Sequence, residues 1–213
     1  IIHLPLLRAL EATQRPLILS TGAATLDEAQ RACGWLAGAR ARLALLQCVS
    51  AYPAPDGDAS LAGIATLARA TGLPVGYSDH TLGVDTGALA VAAGACILEK
   101  HLTADTGAPG PDHASSLPPE DFSEYCTLAR RAFTMLGEPA KRVLDSERDV
   151  REASRQSVVV LRAVREGETL EAEDLACKRP GTGLPPSTLD ACAGRVAARD
   201  IPPDTPLTEG DLL

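Results

Sequence analysis

Aromatic residues are scarce in this chain. Two Phe, three Tyr and one Trp make up 3% of 213 residues. A core with so few rings is filled by Ala, Leu, Val and Gly, which favours close helix-on-sheet packing over an aromatic-lined binding module. No apolar run approaches the roughly 18 residues that a membrane-spanning helix needs. No N-terminal stretch has the layout of a secretory signal. Basic runs are missing too. Lys plus Arg total 20 against 28 Asp plus Glu, a net charge of −8, so the cationic surface on which nucleic-acid binding rests is lacking. A small anionic substrate is not excluded, because a few local cations decide that. No two of the six cysteines form a C-x-x-C pair. Cys48 and Cys96 lie in apolar runs, where a buried reduced thiol is expected. That pattern predicts a reducing, cytoplasmic compartment. Histidine is the last scarcity, with four in the chain, and it carries the most information.

What is present is a rhythm. Apolar runs at residues 16–20, 43–48, 74–78 and 95–99 alternate with helix-like segments at 25–37, 60–70, 86–93 and 119–136. Thr25 with Glu28 three residues on is the pattern of a capping box. Continuous apolar strands separated by helices predict an α/β fold with a helix-covered parallel sheet. Each strand ends in polar residues: Ser20, Ser50, Ser78 to His80, and Glu99 to His101. In parallel α/β folds the site lies at the carboxyl ends of the strands, so these residues are expected on one rim. Residues 1–137 form this part. Residues 138–153 are charged, lack a regular apolar face and read as a linker. Residues 154–213 show short apolar segments, turns and prolines, the pattern of a small, mostly β domain.

His80 and His101 follow consecutive strands. Neutral imidazoles bind divalent cations, so the pair reads as half of a metal site or as two ordinary rim histidines. Oxygens from water, substrate or Glu99 would complete the site. Such a set suits Mn²⁺ or Mg²⁺ better than structural zinc with its four protein ligands. Glu99 stands two residues before His101 and faces the same side of an extended strand. There it holds a metal-bound water, orients His101, or pairs with a neighbouring strand. Lys100 points the other way and reads as structural. Ser20, Ser50 and Ser78 are ordinary caps singly and, together, a hydroxyl cluster suited to phosphate or carboxylate oxygens. Thr21 and Gly22 let backbone approach an anion closely. Tyr52 presents its hydroxyl to a sugar or packs on the rim. Asp112, in the rigid loop 109–113, is placed to accept hydrogen bonds from a polyol. Arg179, in a Gly-flanked loop of the second domain, suits a carboxylate or amide oxygen unless merely solvated. Glu99 and Tyr52 are the catalytic candidates.

Six segments together resemble a known family. They are residues 18–22 (Ile-Leu-Ser-Thr-Gly), 46–53 (Leu-Gln-Cys-Val-Ser-Ala-Tyr-Pro), 76–81 (Gly-Tyr-Ser-Asp-His-Thr), 98–101 (Leu-Glu-Lys-His), 110–112 (Gly-Pro-Asp) and 178–181 (Lys-Arg-Pro-Gly). In order and spacing they resemble the C-terminal part of the sialic acid synthase (N-acetylneuraminate synthase) family. The last domain resembles the antifreeze-like (SAF, β-clip) domain. The resemblance implies the C-terminal half of a TIM (βα)₈ barrel, four βα units, followed by that domain. It implies condensation of phosphoenolpyruvate with N-acetylmannosamine or a related N-acetylated hexosamine, with release of phosphate. It also implies His80 and His101 as ligands of Mn²⁺ or Mg²⁺, with Glu99 supporting through water. Ser20 and Ser78 match phosphoenolpyruvate contacts, and Tyr52 and Asp112 match sugar contacts. Arg179 matches an arginine that reaches the partner's site in a domain-swapped homodimer. Ser50 departs from the family, many members of which carry Asn there. The family's first four strands, with a glutamate and a phosphoenolpyruvate-binding lysine, have no counterpart. The chain also opens on Ile. A half barrel leaves two open parallel edges, so these residues alone are expected to be an inactive fragment that aggregates or pairs its edges. Alternatives are a legionaminic or pseudaminic acid synthase, and a non-catalytic remnant serving as a binding module.

Overall fold

Four strands alternate with helices from residue 17 to residue 136 in the computed structural model, which describes residues 1–213. The chain divides into two units, Ile1–Pro139 and Ala140–Leu213. The first begins with α1 (Leu4–Ala12), a helix the strand-helix rhythm does not announce. The His3 imidazole caps it by accepting the Leu6 N–H at 3.1 Å. Then follow β1 (Leu17–Ser20), α2 (Leu26–Trp35), β2 (Leu43–Cys48), α3 (Ala62–Thr71), β3 (Val75–Asp79), α4 (Thr86–Ala92), β4 (Leu98–Lys100) and α5 (Pro119–Leu136). The Thr25–Glu28 capping box starts α2 as its spacing predicts.

The sheet is all parallel, in the order β1-β2-β3-β4. Each strand joins the next through a helix, the right connection for parallel neighbours. Leu17, Leu19, Leu43, Leu45, Val75, Tyr77 and Leu98 share one face and pack on the helices. Tyr77 is wholly buried; its hydroxyl donates to the Ala59 carbonyl at 3.0 Å, and burial pushes its phenol up to about 12. Successive side chains alternate. Ser20, Cys48, Ser78 and Glu99 therefore occupy the opposite face, at the carboxyl ends. The central strands β2 and β3 are buried almost throughout, whereas β1 alternates and leaves Ile18 58% exposed.

Two expectations need correction. The apolar run predicts a fourth strand over residues 95–99, but β4 starts at Leu98. Gly94 takes a positive φ of 104°, and the Ala95 N–H returns to the Ala90 carbonyl at 2.9 Å. Residues 94–96 are therefore the turn leaving α4, and the strand is shorter. For the same reason Cys96 is exposed rather than buried, while Cys48 is buried.

The second unit holds α6 (Arg148–Ser154), β5 (Ser157–Val160), β6 (Leu175–Lys178) and α7 (Leu189–Cys192). Residues 138–153 thus contain most of α6 and a 3₁₀ turn at Asp145–Glu147, with every residue exposed. The strands β5 and β6 are antiparallel, with Ser157 opposite Lys178. Val158, Val160, Leu170, Ile201 and Leu207 form a separate core.

Candidate functional site at the strand ends

The end of β3 and the loop after β2 meet at His80, the residue that follows β3. The His80 carbonyl accepts the Ala54 N–H at 2.8 Å, tying the loop 49–54 to the end of β3. The His80 Nδ1 lies 2.9 Å from the Val49 carbonyl. A carbonyl only accepts, so Nδ1 carries the proton and Nε2 keeps its lone pair. The Cys48 Sγ sits 3.8 Å from the same Nδ1. His80 is buried at 6% exposure, so its orientation is fixed by packing as well as by this bond.

His101 follows β4, with its ring centroid 5.2 Å from that of His80. The Tyr52 ring completes a cluster at 4.2 Å from His80 and 5.8 Å from His101. Partial burial pushes the Tyr52 phenol up, and Cys48, Asp112 and Glu99 act in the same direction. Ser78 is buried and donates its hydroxyl to Glu99 Oε1 at 2.7 Å. This bond crosses neighbouring strands at a register pair. Glu99 so far has a hydroxyl partner on β3 rather than a salt bridge.

Ser20 ends β1 and is exposed. The Thr21 hydroxyl turns back to the Leu46 carbonyl at 2.8 Å. At Gly22 an added Cβ would collide with the Ser50 hydroxyl and come within 2.9 Å of Cys48 Sγ. Only glycine lets the loops after β1 and β2 pack this closely. Asp112 is exposed; its carbonyl accepts the Ser116 hydroxyl at 2.6 Å. The third rim histidine, His113, is 2.7 Å from the Thr103 hydroxyl and braces that loop instead of joining the pair. Arg179 belongs to the second unit. There the buried Ser157 hydroxyl donates to the Pro180 carbonyl at 2.7 Å and accepts the Gly183 N–H at 2.8 Å, pinning the loop on which Arg179 is exposed.

The strand ends and the loops just after them therefore carry Ser20, Ser50, Tyr52, Ser78, His80, Glu99 and His101, with Tyr52, His80 and His101 in ring contact and Ser78 bonded to Glu99, while Asp112 lies on the longer loop between β4 and α5. The residues not anticipated from sequence are Cys48 as a neighbour of His80 and the Val49 carbonyl that sets its tautomer. A backbone carbonyl leaves no signal in a sequence. No three His, Cys, Asp or Glu side chains converge as a ready metal cage. Two imidazoles, one with its Nε2 free, fit a cation that takes its remaining ligands as oxygens from outside this group.

Comparisons with known proteins agree with this layout. A model described as the NeuB family matches residues 1–141, and one described as the SAF domain matches residues 155–213. The N,N'-diacetyllegionaminic acid synthase of Legionella pneumophila is 38% identical over 97% of this chain and 60% of its own length. A crystal structure of a spore coat polysaccharide biosynthesis protein E from Chromobacterium violaceum superposes with a TM-score of 0.79 at 29% identity, covering 98% of this chain and 64% of that one. The N-acetylneuraminic acid (sialic acid) synthetase of Leptospira borgpetersenii, solved with citrate, gives a TM-score of 0.65 at 36% identity over 68% of this chain and 51% of that one. The chain spans 60–64% of the length of four curated relatives it matches. With these matches, the four parallel strands are half of a TIM-type barrel followed by a SAF domain.

Proposed function

Because this chain belongs to the NeuB family and carries a SAF domain after its half barrel, we propose that it provides the metal-binding rim of a nonulosonate synthase. The reaction joins phosphoenolpyruvate to an N-acetylated hexosamine. The enol carbon C3 bonds to the sugar's aldehyde carbon, water adds at C2, and the C2–O bond to phosphate breaks to release inorganic phosphate. The observation that carries the reading is the His80–His101 pair at 5.2 Å between centroids, with the His80 Nε2 left free by the bond to Val49.

His80 and His101 would hold Mn²⁺ or Mg²⁺, which when bound supplies Lewis-acid polarisation of a carbonyl oxygen. Glu99, kept in place by Ser78, orients water at this edge. Ser20 and Ser78 offer hydroxyls to phosphoenolpyruvate oxygens. Tyr52 and Asp112 flank the sugar, with the Tyr52 phenol kept protonated and able to donate. Ser50 gives this rim a hydroxyl where an amide is commoner, which alters the polar contact offered to the sugar. Holding two substrates in reacting geometry is worth about 7–11 kcal/mol in favourable cases. Arg179 reaches a partner's site in a homodimer of the whole enzyme. The 38% identity to a legionaminic acid synthase supports N,N'-diacetyllegionaminic acid as a product alongside sialic acid.

Four strands do not close a barrel, so the 213 residues alone are expected not to turn over. Mn²⁺ titration of the wild-type chain, His80→Ala and His101→Ala tests the metal reading. Binding in the wild type that is lost in both variants supports it, and equal binding in all three removes it. Phosphate release from phosphoenolpyruvate and N-acetylmannosamine tests the inactivity: clear turnover by the 213 residues would overturn it.

A further inference from the structure

Asp79 and Lys100 each stand immediately before one of the two histidines. They form an ion pair at 3.1 Å with side chains 0% and 1% exposed. The Lys100 ammonium also donates to the Thr81 carbonyl. Asp79 Oδ1 accepts the Thr81 N–H at 2.9 Å and the Thr81 hydroxyl at 2.8 Å. The Thr81 hydroxyl lies 2.8 Å from that of Thr86 at the start of α4. From α5, the Tyr125 ring lies 5.5 Å from the ammonium. The pair is thus tied to two strands, a loop and two helices.

Stability alone is a weak reason for such a pair. Removing two charges from water offsets most of their attraction, and apolar replacements are often neutral or better. Its particular consequence is geometric. The strands β3 and β4 pair in register as Ser78 with Glu99 and Asp79 with Lys100. The first of these rungs is bridged on the open face by the Ser78–Glu99 hydrogen bond. The second is bridged on the helix face by the ion pair. The next position on each strand is a histidine, already beyond the ladder. With only three residues in β4, a last rung without a bridge would leave the strand ends free to part.

We propose that Asp79 and Lys100 are a positioning pair that sets the spacing of His80 and His101. The proposal rests on the reading that these histidines hold a cation. Outer groups of this kind typically carry at least about tenfold in metal affinity.

The double variant Asp79→Asn/Lys100→Met keeps an acceptor for Thr81 and removes both charges together. Asp79→Asn/Lys100→Gln is a second route that also removes both charges together and keeps a donor near the Thr81 carbonyl. In both, the melting temperature is measured beside the ring-to-ring nuclear Overhauser effect between His80 and His101, and beside Mn²⁺ affinity. The expected result is a melting temperature close to wild type, a weakened ring contact and at least about tenfold weaker Mn²⁺ binding. A folded variant with the ring contact unchanged overturns the proposal. The readouts fail separately: a wild-type chain that binds no Mn²⁺ removes the metal reading, while the ring contact still decides the positioning.

Discussion

Gly34 and Gly87 give opposite outcomes from the same substitution. Both lie in helices, α2 and α4. A Cβ at Gly34 meets nothing within 4 Å, so Gly34→Ala gains helix propensity and stabilises by about 0.5–1 kcal/mol. A Cβ at Gly87 would press into the Tyr125 ring, with Cε2 at 2.7 Å. Tyr125 is buried, at 2% exposure, and cannot swing away. Overpacking costs about 1–3 kcal/mol and outweighs the propensity gain, so Gly87→Ala lowers the melting temperature. Thermal melts of the two variants check both signs. The same scale explains what the sequence makes visible at the rim. His80 and His101 are legible because scarce residues recur at equivalent strand ends, and Lys100 is legible as structural from strand alternation alone. Its partner Asp79 carries an equal signal, since it precedes His80 as Lys100 precedes His101. Recognising the pair also requires the register between β3 and β4, which depends on where β4 begins.

Elements with local signals match their sequence patterns best. The helix α5 spans residues 119–136 as expected, because Pro119 suits a first helical turn and Gly137 takes a positive φ of 59° after the last one. The start of β4 has no such mark, because a turn at residues 94–96 is as apolar as the strand it precedes. In the second unit two short turns depend on charge. Asp174 accepts the Glu171 N–H at 3.0 Å and is gripped by Arg162 at 2.6 Å. The hydrogen bond from Arg162, then that from Glu171, holds its carboxyl below the usual range. Asp211 is pushed up by burial, but the Thr208 hydroxyl, the Thr208 N–H and Arg199 outweigh this and leave it lowered. A lowered carboxylate contributes stability that is complete above its unfolded pKa of about 3.9 and lost as pH falls through the folded value. The second unit is therefore expected to hold its stability down to about pH 5 and to lose it progressively below about pH 4. Asp174→Asn/Asp211→Asn is less stable at neutral pH and shows a flatter acid slope. Circular dichroism melts across that range measure both.

At the scale of the whole chain, the first unit's sheet ends in two uncovered parallel strands. Beside β4, a groove of about 670 Å³ between α4 and α5 is lined by Val91, Leu98, Ala129, Phe133 and Leu136. Phe133 is 74% exposed and Leu136 51%. On β1, the other edge strand, Ile18 is 58% exposed; elsewhere in the first unit Ile2 and Leu6 are 63% and 53% exposed. Unpaired strand edges flanked by apolar side chains template further pairing, and contiguous exposed apolar surface adds the driving force. The 213-residue chain is therefore expected to self-associate with rising concentration. Sedimentation velocity at several concentrations measures this directly. Ile18→Lys and Phe133→Lys place a charge at opposite edges on side chains that are already largely in water, so each costs no more than about 0.5 kcal/mol of folding stability. Combined, they are expected to move the sedimentation profile towards the monomer while leaving the melting temperature nearly unchanged. If association instead runs through the second unit, the profile stays as in the wild type, because neither substitution touches the core around Val158 and Leu207.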